Sequence, residues 1–215
     1  MLQGALLDGD GTLYDTEPWY FEAVRRTFRP YGVEIGQEEY IRRWMLESTG
    51  FEGVVQDYGL AIPVERLRTE RDEIFLGLLA AEGRLMPYAL DLLDRLRTYP
   101  LGLVSSAHRG EVERKLGRFG LQDRFQVLVS GDMTPRKKPH PEPYRMGTDQ
   151  LGVPAASILV VEDNPSGVRS AKAAGCKVVA YPNGFTAGMD FRMADRVVAS
   201  LAEITDGFLE DLFAP

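Results

Sequence analysis

The sequence predicts an α/β fold: a parallel sheet with a block of helices inserted after its first strand. Three observations carry that expectation. From Leu101 onward, short apolar runs of strand length alternate with segments of helical periodicity, the pattern of a parallel sheet with right-handed crossovers. Another apolar run, Gly4 to Leu7, stands alone near the start and ends abruptly in the polar turn Asp8-Gly9-Asp10-Gly11-Thr12. Between the two, Thr16 to Leu85 is helical in pattern with no convincing strand. The expected domains are an α/β core of residues 1–15 and 86–215 and a helical insertion of residues 16–85, which is expected to cover the site.

Within the insertion, Glu17 to Tyr31 places Tyr20, Val24 and Phe28 four apart on one face. Thr16 can cap this helix, and Pro18 suits its first turn. Gln37 to Glu47 is the second helix, with Ile41, Trp44 and Met45 inward, and Phe51 to Tyr58 is a short third. Val64 to Ala81 is a longer fourth, with Leu67, Ile74, Phe75 and Leu78 on its stripe. Tyr88 to Leu96 follows Pro87 as a further helix. The strand Leu101 to Val104 then ends in Ser105-Ser106, and a helix from Glu111 to Phe119 is closed by Gly120. The strand Phe125 to Val129 ends in Ser130-Gly131-Asp132, and a helix from Pro141 to Leu151 is stopped by Gly152-Val153-Pro154. The strand Ser157 to Val161 ends in Glu162-Asp163, and a helix from Ser166 to Ala174 is ended by Gly175. Lys177 to Ala180 is another strand, and Arg196 to Val198 is an edge strand before a C-terminal helix.

Composition narrows the function classes. The 215 residues are 44% hydrophobic and 27% charged, as in an ordinary globular protein. The net charge of -7, with no block rich in lysine and arginine, argues against nucleic acid or an anionic membrane surface as partner. Cys176 is the only cysteine, so an intramolecular disulfide is impossible and a cysteine zinc site is not expected. No apolar run approaches the ~18 residues of a membrane span. Nothing basic or apolar precedes the first strand, so the cytoplasm is the expected compartment. A monomer or weak homodimer is expected.

The chemistry-bearing residues lie where a parallel sheet brings them together. Strand one delivers Asp8 and Asp10, strand two Ser105 and Ser106, the loop after strand three Lys137-Lys138-Pro139, and strand four Glu162 and Asp163. The C-terminal ends of parallel strands share one rim, which is where open α/β sheets bind ligands. Asp8 and Asp10 alone read equally as a nucleophile with an acid/base partner, as oxygen ligands for a hard cation, or as a solvated Asp-Gly turn. Together with a lysine and a hydroxyl, the carboxylates make a site suited to a divalent cation such as Mg²⁺ and a phosphate.

These residues resemble the motifs of a known family. Asp8-Gly9-Asp10-Gly11-Thr12-Leu13 is similar to the first motif of the haloacid dehalogenase-like superfamily, and Ser105 after an apolar strand to the second. Lys138-Pro139 resembles the third, and Glu162-Asp163-Asn164-Pro165-Ser166-Gly167 the fourth. All four stand in the family's order and span nearly the whole chain. The branch it resembles contains phosphoglycolate phosphatases, sugar-phosphate phosphatases and β-phosphoglucomutase. The resemblance implies a Rossmann-like core with an α-helical cap and a small phosphorylated metabolite as substrate. It implies that Asp8 attacks phosphorus to form an aspartyl-phosphate, and that Asp10 protonates the leaving oxygen and then activates water. It further implies that Mg²⁺ is held by Asp8, the Asp10 backbone carbonyl and Asp163, with Glu162 in support through water. Ser105 and Lys138 would hold the phosphoryl group.

Substrate-facing candidates are Thr16 and Tyr20 at the entry to the insertion, and Ser106, His108 and Arg109 after the second motif. The loop Glu47 to Gly50 is the expected specificity element, again by resemblance. Trp44, Met45, Phe51 and Cys176 read as core, and His140 as structural. The main alternative is a phosphosugar mutase. Those mutases carry a histidine where this chain has Tyr20, and an arginine in the loop where this chain has none between Glu47 and Gly50. Tyrosine, with a pKa of about 10, cannot share a proton near neutrality as histidine does. A haloacid dehalogenase needs neither a metal nor an acid for a leaving oxygen, so Asp10, Glu162 and Asp163 argue against it. A catalytically silent phosphometabolite-binding protein would not need the full set.

Overall fold

In the computed structural model, which describes residues 1–47 and 49–214, strand β1 (Gly4–Leu7) lies inside a parallel sheet. The other strands are β2 (Leu101–Val104), β3 (Val127–Val129), β4 (Ile158–Glu162), β5 (Lys177–Ala180) and β6 (Arg196–Val197). Their order is β3-β2-β1-β4-β5-β6, and every neighbouring pair is parallel. Strand order reverses direction at β1, the switch point where such sheets leave a crevice at their carboxyl ends. β1, β2 and β4 are buried along their whole length, as expected of parallel strands covered on both faces. Alternate residues feed two cores: Ala5, Leu7, Leu103, Leu159 and Val161 join one, and Leu6, Val104, Val129, Val160 and Val178 the other.

The chain divides into two compact units, Thr16–Arg84, and Met1–Asp15 with Leu85–Pro215. The first is helical: α1 (Glu17–Phe28), α2 (Gln37–Tyr40), α3 (Gly50–Asp57) and α4 (Val64–Glu82). The second adds α5 (Ala89–Arg95), α6 (Arg109–Phe119), α7 (Glu142–Leu151), α8 (Pro165–Ala174) and α9 (Asp206–Leu212) around the sheet.

Several elements differ from the sequence expectation. Gln37 to Glu47 is not one α-helix, because α2 passes into a π-helix over Ile41–Leu46. The wider turn puts Arg43 inward, its guanidinium 2.7 Å from both Glu39 and Asp57, while Ile41, Trp44 and Met45 are half-buried. On α4, Leu67, Phe75 and Leu78 are buried as expected, but Arg71 shares their stripe and Ile74 is only half-buried. Thr16 stands at the cap of α1 but its side chain makes no capping bond, because its backbone is helical (φ -98, ψ -21) and not extended. β3 is shorter than expected, covering Val127–Val129, and Gln122–Arg124 forms a 3₁₀ turn ahead of it. β4 runs on to include Glu162, which places that side chain in the sheet itself. α6 begins at Arg109, two residues before the expected Glu111, with His108 at its cap position.

Candidate active site

Strand register builds the centre of the site. Leu7 pairs with Leu103 on one side and Val161 on the other, so Asp8 falls between Val104 and Glu162. Its backbone N–H donates to the Val161 carbonyl at 3.0 Å. Lys138, from the loop between β3 and α7, brings its Nζ to the same point. It donates to Asp8 Oδ1 at 2.6 Å, to Glu162 Oε1 at 2.7 Å and to the Val104 carbonyl at 2.9 Å. An ammonium has three protons, and here each has an acceptor. Burial pulls Lys138 down, but the carboxylates of Asp8 and Glu162 outweigh it and hold the ammonium above the ordinary lysine range.

For Asp8 the balance goes the other way. Burial pushes its carboxyl well above the usual carboxylate range; Lys138 pulls it down, and Glu162 and Asp10 push it up again. Asp8, Glu162 and Asp163 are all buried, and each offers a carboxylate oxygen within 4.8 Å of the others. Glu162 also accepts from the Tyr144 hydroxyl at 2.8 Å, and Asp163 from the Asn183 amide at 2.8 Å. Two glycines make room for these carboxylates. A Cβ at Gly167 would overlap the Glu162 carboxylate, and one at Gly11, whose φ is +79, would overlap that of Asp163.

Asp10 takes a different place. Its carboxylate lies outside this group of three, and its Oδ1 accepts from Lys115 Nζ at 2.5 Å. Ser105 is buried at the next strand end, with its Oγ accepting the Ala107 N–H at 3.1 Å. Ser106, His108 and Arg109 follow it and are exposed. Arg109 is engaged locally, its Nε 2.7 Å from Glu113. In the helical unit, Thr16 is buried, and the Tyr20 ring lies under the Arg71 guanidinium at 4.2 Å. The loop Glu47 to Gly50 contains Ser48, which lies outside the described residues. His140 is structural as expected: its carbonyl accepts from Ser170, and its ring accepts the Glu142 N–H at 3.2 Å.

Sequence reasoning missed Lys115, Tyr144 and Asn183. Lys115 carries a signal in retrospect, being a lysine on the apolar stripe of an amphipathic helix. Asn183 follows β5, whose carboxyl end runs into Tyr181-Pro182-Asn183 and carries no charged residue to mark it. Tyr144 carries none beyond its place on a buried helix face.

The chain matches the haloacid dehalogenase-like hydrolase family over residues 5–181, and it belongs to that family. The phosphorylated carbohydrates phosphatase of Thermotoga maritima is 34% identical over 187 residues, covering 81% of this chain and 82% of the relative. Protein CbbY of Cereibacter sphaeroides is 30% identical over 230 residues, covering 100% and 99%. A solved structure of CbbY from Rhodobacter sphaeroides in complex with phosphate aligns with a TM-score of 0.81 at 30% identity, covering 94% of this chain and 96% of that one. The enzyme class that this membership and these relatives support is the phosphoric monoester hydrolases.

Proposed function

We propose that the enzyme hydrolyses a small phosphate monoester, such as a sugar phosphate or phosphoglycolate, in a Mg²⁺-dependent reaction through a phosphorylated Asp8. The observation that carries this reading is the buried Lys138 ammonium held between Asp8 and Glu162 at 2.6 and 2.7 Å. A carboxylate so placed has one oxygen fixed, and the lysine stands ready to offset phosphoryl charge.

The donor set fits Mg²⁺. It is all oxygen, with three clustered carboxylates of which Asp8 and Glu162 share the Lys138 ammonium, and Asp8 is still pushed upward, chiefly by burial. Asp8, Asp163 and the Asp10 carbonyl would hold the ion, with Glu162 in support. When bound, the cation supplies charge neutralisation and a fixed seat for phosphoryl oxygens.

Each chemical step then falls to a residue of this chain. An Asp8 oxygen attacks phosphorus as the ester P–O bond breaks, and Asp10 gives its proton to the departing oxygen. Asp10 next takes a proton from water, which attacks the same phosphorus and frees Asp8. Lys138 and Ser105 orient the phosphoryl oxygens throughout. The helical unit takes the role of the family's cap and selects the substrate. The relatives agree with this substrate class: one is named for phosphorylated carbohydrates, and another was captured with phosphate.

The test is phosphate release from p-nitrophenyl phosphate and a panel of phosphorylated metabolites, with Mg²⁺ and with EDTA. Release that requires Mg²⁺ is expected. Undiminished turnover in EDTA, or none with any ester, contradicts the proposal.

A further inference from the structure

Helix α6 contains an anomaly. Its buried residues are Val112, Lys115 and Leu116, so a lysine stands where the helical spacing calls for an apolar side chain. The Lys115 side chain is 1% exposed. Lysine is almost never fully buried unless it is paired. Here its Nζ lies 2.5 Å from Asp10 Oδ1, on the loop after β1, and 2.5 Å from Glu111 Oε1, one turn back on its own helix. Burial pulls the ammonium down, but Asp10 and Glu111 outweigh it and keep the group charged.

Packing alone does not call for this charge. α6 is already fastened to the same loop by an apolar contact, the Tyr14 ring stacked on Phe119 with centroids 5.4 Å apart. A methionine at 115 would fill similar space without the cost of burying an ammonium. The charge does something an apolar residue would not: it reaches across 105 positions to one oxygen of Asp10. That carboxylate is 28% exposed and sits in a loop between two glycines, Gly9 and Gly11.

We infer that Lys115 is a positioning residue for phosphoryl transfer: its ammonium, braced by Glu111, fixes the orientation of the Asp10 carboxyl toward the leaving oxygen. The inference rests on the assignment of Asp10 as acid and base. The proton passes from Asp10 to the ester oxygen as that P–O bond breaks and the Asp8–phosphorus bond forms. Lys115 stays protonated and exchanges nothing. Its contribution is geometric, and misplacing a reacting group by about 1 Å can cost roughly 10²-fold in rate.

The experiment compares kcat/KM, in Mg²⁺, for an ester with a good leaving group and one with a poor leaving group. 2,4-Dinitrophenyl phosphate departs without a proton, whereas glycerol phosphate needs one. Lys115→Met is expected to lose about 30-fold more on the alkyl ester than on the aryl ester, within the roughly 10²–10⁴-fold that a general acid supplies. Lys115→Arg is expected to restore part of the difference, and Asp10→Asn to show the same imbalance more strongly. Equal losses on both esters in Lys115→Met would make Lys115 merely structural and overturn the inference. If Lys115→Met does not fold, Glu111→Gln, which removes only the brace, is expected to give a smaller imbalance of the same sign; an even loss there overturns the inference too. An Asp10→Asn enzyme with no imbalance would instead refute Asp10 as the acid. An imbalance in Asp10→Asn without one in the Lys115 variants removes the Lys115 inference alone.

Discussion

The Lys138 ammonium lies 2.6 Å from Asp8 Oδ1, across 130 positions of chain, and is held from the other side by Glu162 at 2.7 Å. Lys137, one residue earlier, is exposed. The pairing fixes the register of the third motif. Lys138→Ala is expected to lower kcat/KM by about 10²–10³-fold, the scale of a desolvated charge aimed at the transition state. Lys137→Ala is expected to change it less than about twofold. Steady-state kinetics on both variants check this, and a damaging Lys137→Ala with a mild Lys138→Ala would refute the pairing's role.

Asp8 links the site to stability. Its folded-state carboxyl is raised above the ordinary value of 3.8, chiefly by burial. The folded state therefore binds more protons than the unfolded state between those two values. Stability from this group is fully present below the unfolded value and falls as pH rises through the window above it. At neutral pH in EDTA, Asp8→Asn is expected to melt at least about 2 °C above the wild type. The gap should narrow as pH is lowered toward the ordinary carboxylate range. Added Mg²⁺ should raise the wild type more than the variant, because binding to the folded state stabilises it. Thermal melts across pH and Mg²⁺ concentration decide it, and an Asp8→Asn protein melting lower in EDTA would show that the cluster is not charge-strained.

Gly167 is the cheapest place to displace Glu162. An alanine Cβ there would overlap the Glu162 carboxylate, the far end of a flexible side chain, and not the backbone of the sheet. Gly167→Ala is expected to fold normally, to bind Mg²⁺ about tenfold more weakly, and to lose about 10²-fold in kcat/KM. Calorimetric Mg²⁺ titration beside circular dichroism separates this outcome from simple unfolding.

Tyr144 holds the same carboxylate from below. Its hydroxyl donates to Glu162 at 2.8 Å, and its ring lies 4.9 Å from Lys138 Nζ. Tyr144→Phe keeps the ring and removes only the hydrogen bond, which for a charged acceptor is worth about 1.5–3 kcal/mol. The expected result is a Mg²⁺ dissociation constant raised about tenfold with a nearly unchanged KM for substrate. An unchanged Mg²⁺ affinity would leave the hydroxyl a purely structural role.

Asp8, Glu162 and Asp163 are legible in the sequence because one rule places them, whereas Lys138, in the loop after β3, is legible through its resemblance to the family's third motif. Parallel strands end on a common rim, and short apolar runs ending in polar residues mark that rim. Lys115 and Tyr144 were not legible, because each sits inside a helix where periodicity assigns a face but names no tertiary partner. Asn183 lies in a Pro-Asn-Gly turn, where composition reads simply as a turn. The π-helix at Ile41–Leu46 also escaped, since a widened turn is stabilised by contacts such as Arg43 with Asp57 that sequence spacing does not encode. The α/β alternation itself survived with shifts of one or two residues at most ends, because it depends on burial pattern and not on individual partners.

Phosphatase and mutase diverge in the fate of the phosphoryl group. Tyr20 packs against Phe75 with ring centroids 5.5 Å apart and lies beneath Arg71, an arrangement with no titratable group near neutrality at that position. Incubation with β-glucose 1-phosphate, Mg²⁺ and a trace of the bisphosphate is expected to release phosphate without forming glucose 6-phosphate. Isomerisation much faster than phosphate release would establish the mutase instead.

The two-step transfer through Asp8 is tested most directly by the stereochemical course at phosphorus. A monoester made chiral with oxygen isotopes and sulfur is hydrolysed in labelled water with Mg²⁺, and the configuration of the released thiophosphate is read. Attack by Asp8 followed by attack of water inverts the centre twice, so net retention is predicted. Net inversion would mean that water attacks the ester directly, and the covalent role of Asp8 would be wrong.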